Sequence, residues 1–120
     1  MEMLSEEQIL QKAYTAFNAR NIDEVLALMH SDVDWPNGME GGRVCGHNGV
    51  REYWTRQWKT INPNVQPIGF ASDELGRTVV TVRQVVRDME GTLLVDQVVK
   101  HLYVMKDGLI RSMEIRNPGQ

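Results

Sequence analysis

Hydrophobic and polar positions follow two different rhythms in the two halves of this chain. From about residue 65 to residue 117, apolar β-branched blocks alternate with short breaks: Val79-Val80-Thr81-Val82, Val85-Val86, Val98-Val99 and Val104-Met105. Blocks of this kind predict one long antiparallel meander. Asp107-Gly108 is its sharpest turn, because that dipeptide supplies the positive φ angles of a two-residue hairpin. Asp88-Met89-Glu90-Gly91 and Asp73-Glu74-Leu75-Gly76 are weaker forms of the same signal. The first half has helical spacing instead. Ser5-Glu6-Glu7-Gln8 fits a capping box, and Ile9, Leu10, Ala13, Tyr14, Ala16 and Phe17 then fall on one side of a helix ending near residues 18–20. Asn21, with Glu24 three residues on, caps a second helix whose stripe is Ile22, Val25, Leu26, Leu28 and Met29, and His30-Ser31-Asp32 ends it. Val33-Asp34-Trp35 is a short extended piece running into Pro36. A third helix over about residues 49–60 carries the clearest stripe: Val50, Tyr53, Trp54, Gln57, Trp58 and Ile61.

A two-residue loop at Asp107-Gly108 pairs Lys106 with Leu109, and then Leu102 with Met113, Lys100 with Ile115 and His101 with Glu114. A loop at Met89-Glu90 pairs Arg83 with Asp96; a loop shifted to Glu90-Gly91 would set Asp96 opposite Val85 and dissolve that pair. One face then holds Val85, Leu94, Val98, Leu102, Val104, Met113 and Ile115, with Arg83, Asp96, Lys100 and Asn117 among them. The other holds Val80, Val82, Val95, Val99, Tyr103 and Met105, with Gln84, Gln97, His101 and Glu114. Both are too apolar for open water. The first is expected to lie under the helices, and the second, as the outer face, against another copy in a homodimer.

With 120 residues the chain is expected to form a single domain over residues 1–120, burying about two thirds of its unfolded surface. No low-complexity tract, repeat or membrane-length apolar run interrupts it. The acidic start, Met1-Glu2-Met3-Leu4-Ser5-Glu6-Glu7, lacks the basic-then-apolar pattern of a secretion signal. Cys45 is the only cysteine, which excludes an intrachain disulfide and fits a reducing compartment, the cytoplasm by default. A net charge of −3 gives no footprint for nucleic acid or an anionic membrane. The Gly-rich stretch Asn37-Gly38-Met39-Glu40-Gly41-Gly42 has no Gly-Lys-Ser/Thr and no dinucleotide fingerprint; its glycines are expected to let backbone bend over a cavity mouth. Nothing calls for a cofactor. His47 with Cys45 offers two metal ligands and no third, so no metal site is expected.

Three segments together resemble the nuclear transport factor 2-like superfamily, in its SnoaL-like branch, which includes relatives of ketosteroid isomerase and limonene epoxide hydrolase. They are residues 17–29 (Phe17-Asn18-Ala19-Arg20 through Leu28-Met29), residues 46–54 (Gly46-His47-Asn48-Gly49 through Trp54) and residues 101–110 (His101-Leu102-Tyr103 through Ile110). The resemblance spans essentially the whole chain. It implies a cone-shaped, cystatin-like α+β fold, a curved antiparallel sheet covered by three N-terminal helices, and says little about the reaction. At the positions where ketosteroid isomerase carries its oxyanion-hole tyrosine, base and protonated aspartate, this chain has Ala13, Asn37 and Lys100. Steroid isomerisation is therefore not expected, while the same alignment points Lys100 inward. Trp35-Pro36-Asn37 resembles the tyrosine-x-asparagine spacing that holds water in limonene epoxide hydrolase, and only Asn37 carries over.

Candidate chemistry rests on these residues. Arg83, Asp96 and Lys100 would be charges under helices, costly unless paired or hydrated. They read either as a polar cluster at the bottom of a cavity, with Lys100 as base or anion anchor, or as a structural ion pair meeting water at an open sheet end. Asn37 would orient a water or carbonyl. Tyr14, Phe17, Trp35, Trp54, Trp58, Leu102, Met113 and Asn117 are candidate lining for a small hydrophobic ligand; the aromatic ones fit ordinary core equally well. His101 reads as an interface residue, His30 as a helix C-terminal one, and Glu40 with Arg43 as a pair across the mouth or as solvated loop charges. Three functions stay open: a cofactor-independent acid–base enzyme (isomerase, cyclase or hydrolase), a non-catalytic ligand binder, and a dimeric interaction protein.

Overall fold

The computed structural model describes residues 4–38 and 40–117; residues 1–3 of the acidic start, Met39 of the Gly-rich stretch and residues 118–120 lie outside them. Three helices and six strands follow in the order α1 (Glu6–Asn18), α2 (Ile22–Ala27), β1 (Met29–Pro36), β2 (Arg43–Cys45), α3 (Gly46–Thr60), β3 (Ile61–Ser72), β4 (Thr78–Asp88), β5 (Leu93–Lys106) and β6 (Leu109–Arg116). The strands form one sheet ordered β2-β1-β6-β5-β4-β3. It is mixed rather than antiparallel, because β1 lies parallel to β6. None of the helices among the described residues is long and apolar enough to cross a membrane.

Local chemistry explains the helix ends. The Ser5 hydroxyl accepts from Gln8 N and the Gln8 side chain accepts from Ser5 N, which completes the capping box. Asn21 caps α2 through Glu24 N. That helix stops at Ala27, so Met29 and His30 open β1 rather than closing a helix. Met29 still reaches the core because it is 2% exposed on the inner side of that strand. Helix α3 starts at Gly46, three residues before the sequence pattern suggests, and Val50, Tyr53 and Trp54 supply its buried stripe.

The turns decide the sheet's register. At Asp88 the loop is three residues long: Asp88 N bonds Thr92 O, Gly91 N bonds Asp88 O, and Gly91 sits at φ 92°. This is the turn-plus-left-handed-glycine hairpin, and Gly76 plays the same part after Asp73. A further irregularity between Val86 and Arg87 puts Asp96 opposite Val85 and Lys100 opposite Thr81. At Asp107-Gly108 the expected pairs Lys106–Leu109 and Met105–Ile110 form, after which the register slips by one residue at Arg111. Beyond that bulge His101 faces Ile115, Leu102 faces Glu114 and Tyr103 faces Met113. One extra residue exchanges the faces of everything after it. Met113 and Ile115 thus join His101 and Tyr103, while Glu114 turns outward.

The helices cover the face opposite to the one expected. Val80, Val82, Val99 and Tyr103 are at most 2% exposed and pack with Leu10, Val25, Val50 and Trp54. The outer face carries Arg83, Asp96, Val98 and Lys100, all exposed. Charge explains the choice, since burying three formal charges under helices would cost several kcal/mol each without compensation. At its centre the covered face carries neutral polar groups, among them Gln84, Gln97 and His101.

Candidate functional site: a buried tyrosine–histidine chain

Helices α1 and α3 and the inner face of the sheet enclose a cavity of about 480 Å³. Its walls are Ala13, Tyr14 and Phe17 from α1, Tyr53, Trp54 and Gln57 from α3, and Trp35 and Pro36 from β1. The sheet contributes Val65, Gln84, Val86, Val95, Gln97, His101, Tyr103, Met113 and Ile115 among others. Phe17, Trp35 and Trp54 meet edge to face, with centroids 5.2 Å (Phe17–Trp54) and 5.6 Å (Trp35–Trp54) apart. Such packing makes flat, stiff walls suited to a planar conjugated molecule.

Three polar side chains meet inside this apolar shell. The Tyr103 hydroxyl donates to the Tyr14 hydroxyl at 2.7 Å, and Tyr14 lies 2.7 Å from His101 Nδ1. Tyr14 is 5%, His101 6% and Tyr103 2% exposed. Since Tyr14 oxygen accepts from Tyr103, its own hydrogen is free to donate to Nδ1, which leaves the proton of the neutral imidazole on Nε2. Nε2 has no protein partner among the described residues, and His101 lines the cavity. Burial pushes the His101 pKa down to about 4. It pushes Tyr14 well above the usual tyrosine range, with the Tyr103 hydroxyl adding to the effect, and raises Tyr103 too, against a smaller lowering by its bond to Tyr14. All three groups are therefore neutral near pH 7, and the chain ends in an N–H donor. No carboxylate or ammonium lines the cavity among the described residues.

The residues expected to act are distributed otherwise. Arg83 and Asp96 do pair, at 2.8 Å, but diagonally across β4 and β5 on the outer face, with side chains 56% and 39% exposed. Lys100 is exposed on that same face, and Leu102 is buried on it, away from the cavity. Asn37 is 7% exposed, yet its amide is committed to its own loop: it donates to Glu40 Oε1 and accepts from Glu40 N. Asn117 is exposed beyond the end of β6. Trp58 stands behind the wall, stacked on Trp54 at 5.8 Å with the Arg20 guanidinium 5.0 Å from its centre. Tyr14, Phe17, Trp35, Trp54 and Met113 do line the cavity. Glu40 pairs with Arg56 and Arg43 with Asp34, rather than with each other. His47 is held by Met29 O at 2.9 Å, and His30 holds Asp32 N in β1.

His101 and Tyr103 lie on the sheet face that the sequence pattern assigns to the outside. The signal that locates them is the lack of formal charge at the central positions of their face of β4 and β5, against Arg83, Asp96 and Lys100 on the other.

The SnoaL-like domain model matches residues 10–113. Among solved structures, TerC co-crystallised with polyporic acid is 28% identical, with TM-score 0.79, covering 91% of this chain and 88% of that one. A nuclear transport factor 2-like protein of unknown function from Burkholderia pseudomallei is 25% identical, with TM-score 0.82 and coverage of 96% and 92%. A candidate polyketide cyclase from Xanthomonas campestris, 19% identical with TM-score 0.75 and coverage of 89% and 85%, shares the fold. Comparison with curated proteins returns no match. With the family model spanning all but the first residues of α1 and the end of β6, the chain belongs to the SnoaL-like domain family.

Proposed function

We propose that this protein binds a flat, conjugated carbonyl compound and shifts its protons without a cofactor, with His101 Nε2–H donating to the carbonyl oxygen as it gains negative charge. The observation that carries this reading is the Tyr103–Tyr14–His101 chain ending in a cavity walled mainly by aromatic and aliphatic groups. A fixed neutral donor in a dry site stabilises an enolate oxygen without reorganisation. With no carboxylate in the wall among the described residues, the substrate needs an acidic C–H of its own, as in a 1,3-dicarbonyl compound. Its carbon proton passes to water at the mouth, the enolate oxygen rests on Nε2–H, and reprotonation at another atom gives the isomer or sets up a ring closure. TerC, a structure of the same fold co-crystallised with polyporic acid, supports a pocket that takes a small organic ligand.

The test is binding of 4-acetylbiphenyl and deuterium exchange of a cyclic 1,3-diketone, in wild type and in Tyr14→Phe and His101→Leu. Exchange above the solvent rate, lost at least tenfold in both variants, is expected. Binding without accelerated exchange would leave a ligand-binding protein, the second reading. The Arg83, Asp96 and Lys100 cluster enters neither reading as a catalytic group. A cytoplasmic location and a homodimer built on the sheet's outer face belong to the same proposal, supported by the exposed unpaired Cys45 and by the exposed Val98 and Val104.

A further inference from the structure

Along their central residues the inner faces of β4 and β5 are apolar except at two levels. One is His101 with Tyr103. The other is the directly paired Gln84 and Gln97, whose side chains join through Gln97 Nε2 donating to Gln84 Oε1 at 3.1 Å. Between them lies the Val82–Val99 pair, 0% and 1% exposed. Both glutamines line the cavity, Gln84 half-buried and Gln97 exposed. Their mutual bond leaves the Gln84 amino group and the Gln97 carbonyl without protein partners among the described residues. A donor and an acceptor thus stand side by side at the open end of an apolar slot. Gln97 is four residues before His101 on the same strand, about 13 Å at ~3.3 Å per residue.

We infer that Gln84 and Gln97 form a second polar station that selects an elongated ligand with an oxygen at each end: a carbonyl at His101, and a hydroxyl at the glutamine pair, two linked or fused rings away. The hydroxyl donates to the Gln97 carbonyl and accepts from the Gln84 amino group. Single-ring ligands reach one station only. This deepens the proposed function and rests on its placing of the carbonyl at His101.

The experiment is a calorimetric comparison of 4-acetylbiphenyl, 4-acetyl-4′-hydroxybiphenyl and the single-ring pair acetophenone and 4-hydroxyacetophenone. In wild type the added hydroxyl is expected to tighten the biphenyl ketone about tenfold, the size of one well-made hydrogen bond pair, and to change the single-ring ketone less than twofold. In Gln97→Leu the preference, read as the ratio of the two biphenyl ketones' affinities within that variant, falls to about onefold. Gln84→Leu should do the same, and the wild-type comparison stands even where a variant fails to fold. A hydroxyl that adds nothing in wild type, or whose gain survives both substitutions, overturns the inference. In that outcome, 4-acetylbiphenyl binding that still depends on Tyr14 leaves the proposed function intact. Absence of binding by all four ketones overturns both.

Discussion

Tyr14 gives the site its order, because one hydroxyl both accepts from Tyr103 and donates to His101. Tyr14→Phe keeps the ring and leaves two buried groups unpaired, so it should cost about 1–3 kcal/mol, read as a lower urea midpoint at unchanged slope. His101 adds a pH dependence. Its folded pKa is depressed to about 4 against an ordinary 6.5, so the unfolded chain binds the extra proton first. Its contribution is fully present above pH 6.5 and is lost as the pH falls toward 4, on the order of 3 kcal/mol. Melting temperature should decline through that window in wild type, and less steeply in His101→Gln. An equal decline in both proteins would show that His101 is not the buried neutral group. The residue types of this site were legible as aromatic and polar positions, whereas their meeting was not. Tyr14 and His101 are 87 residues apart, and only the three-dimensional fold brings them together.

At the scale of elements, the helices and hairpins were readable because their signals are local. The capping box at Ser5, the Asn21 cap and the glycine turns each need only four or five neighbouring residues. Bulges have no such signature. Nothing in Ile110-Arg111-Ser112 marks Arg111 as the extra residue, yet it decides that Met113 and Ile115 face the cavity. Deleting Arg111 should turn Met113 outward from a site where it is 2% exposed, destabilising the fold by roughly 3 kcal/mol and abolishing ketone binding. A deletion variant with wild-type stability would mean that the ladder absorbs the slip elsewhere. Gly91 is the matching backbone case. At φ 92° an alanine is strained, so Gly91→Ala should cost about 1 kcal/mol by chemical denaturation, with ligand affinity unchanged because the turn lies outside the cavity wall.

For the whole molecule, two apolar sheet faces leave one question that hydrophobicity alone does not answer, namely which face the helices take. Formal charge answers it, and the outcome moves Lys100 from cavity floor to outer surface. Lys100→Met should accordingly leave ketone affinity within twofold of wild type. The homodimer proposed above would bury the exposed Val98 and Val104 of that outer surface. Sedimentation should give a dimer for wild type and a monomer for the double variant Val98→Glu/Val104→Glu; a wild-type monomer would remove the assembly from the account. The most direct test of the central claim is the carbonyl stretch of isotope-labelled 4-acetylbiphenyl bound to the protein, read by infrared difference spectroscopy. The expected result is a shift to lower frequency than in an apolar solvent, lost in His101→Leu, reduced in Tyr14→Phe and retained in Lys100→Met. A bound carbonyl at the apolar-solvent frequency, or a shift that disappears with Lys100 and persists without His101, would contradict the tyrosine–histidine chain as the group that holds the ligand's oxygen.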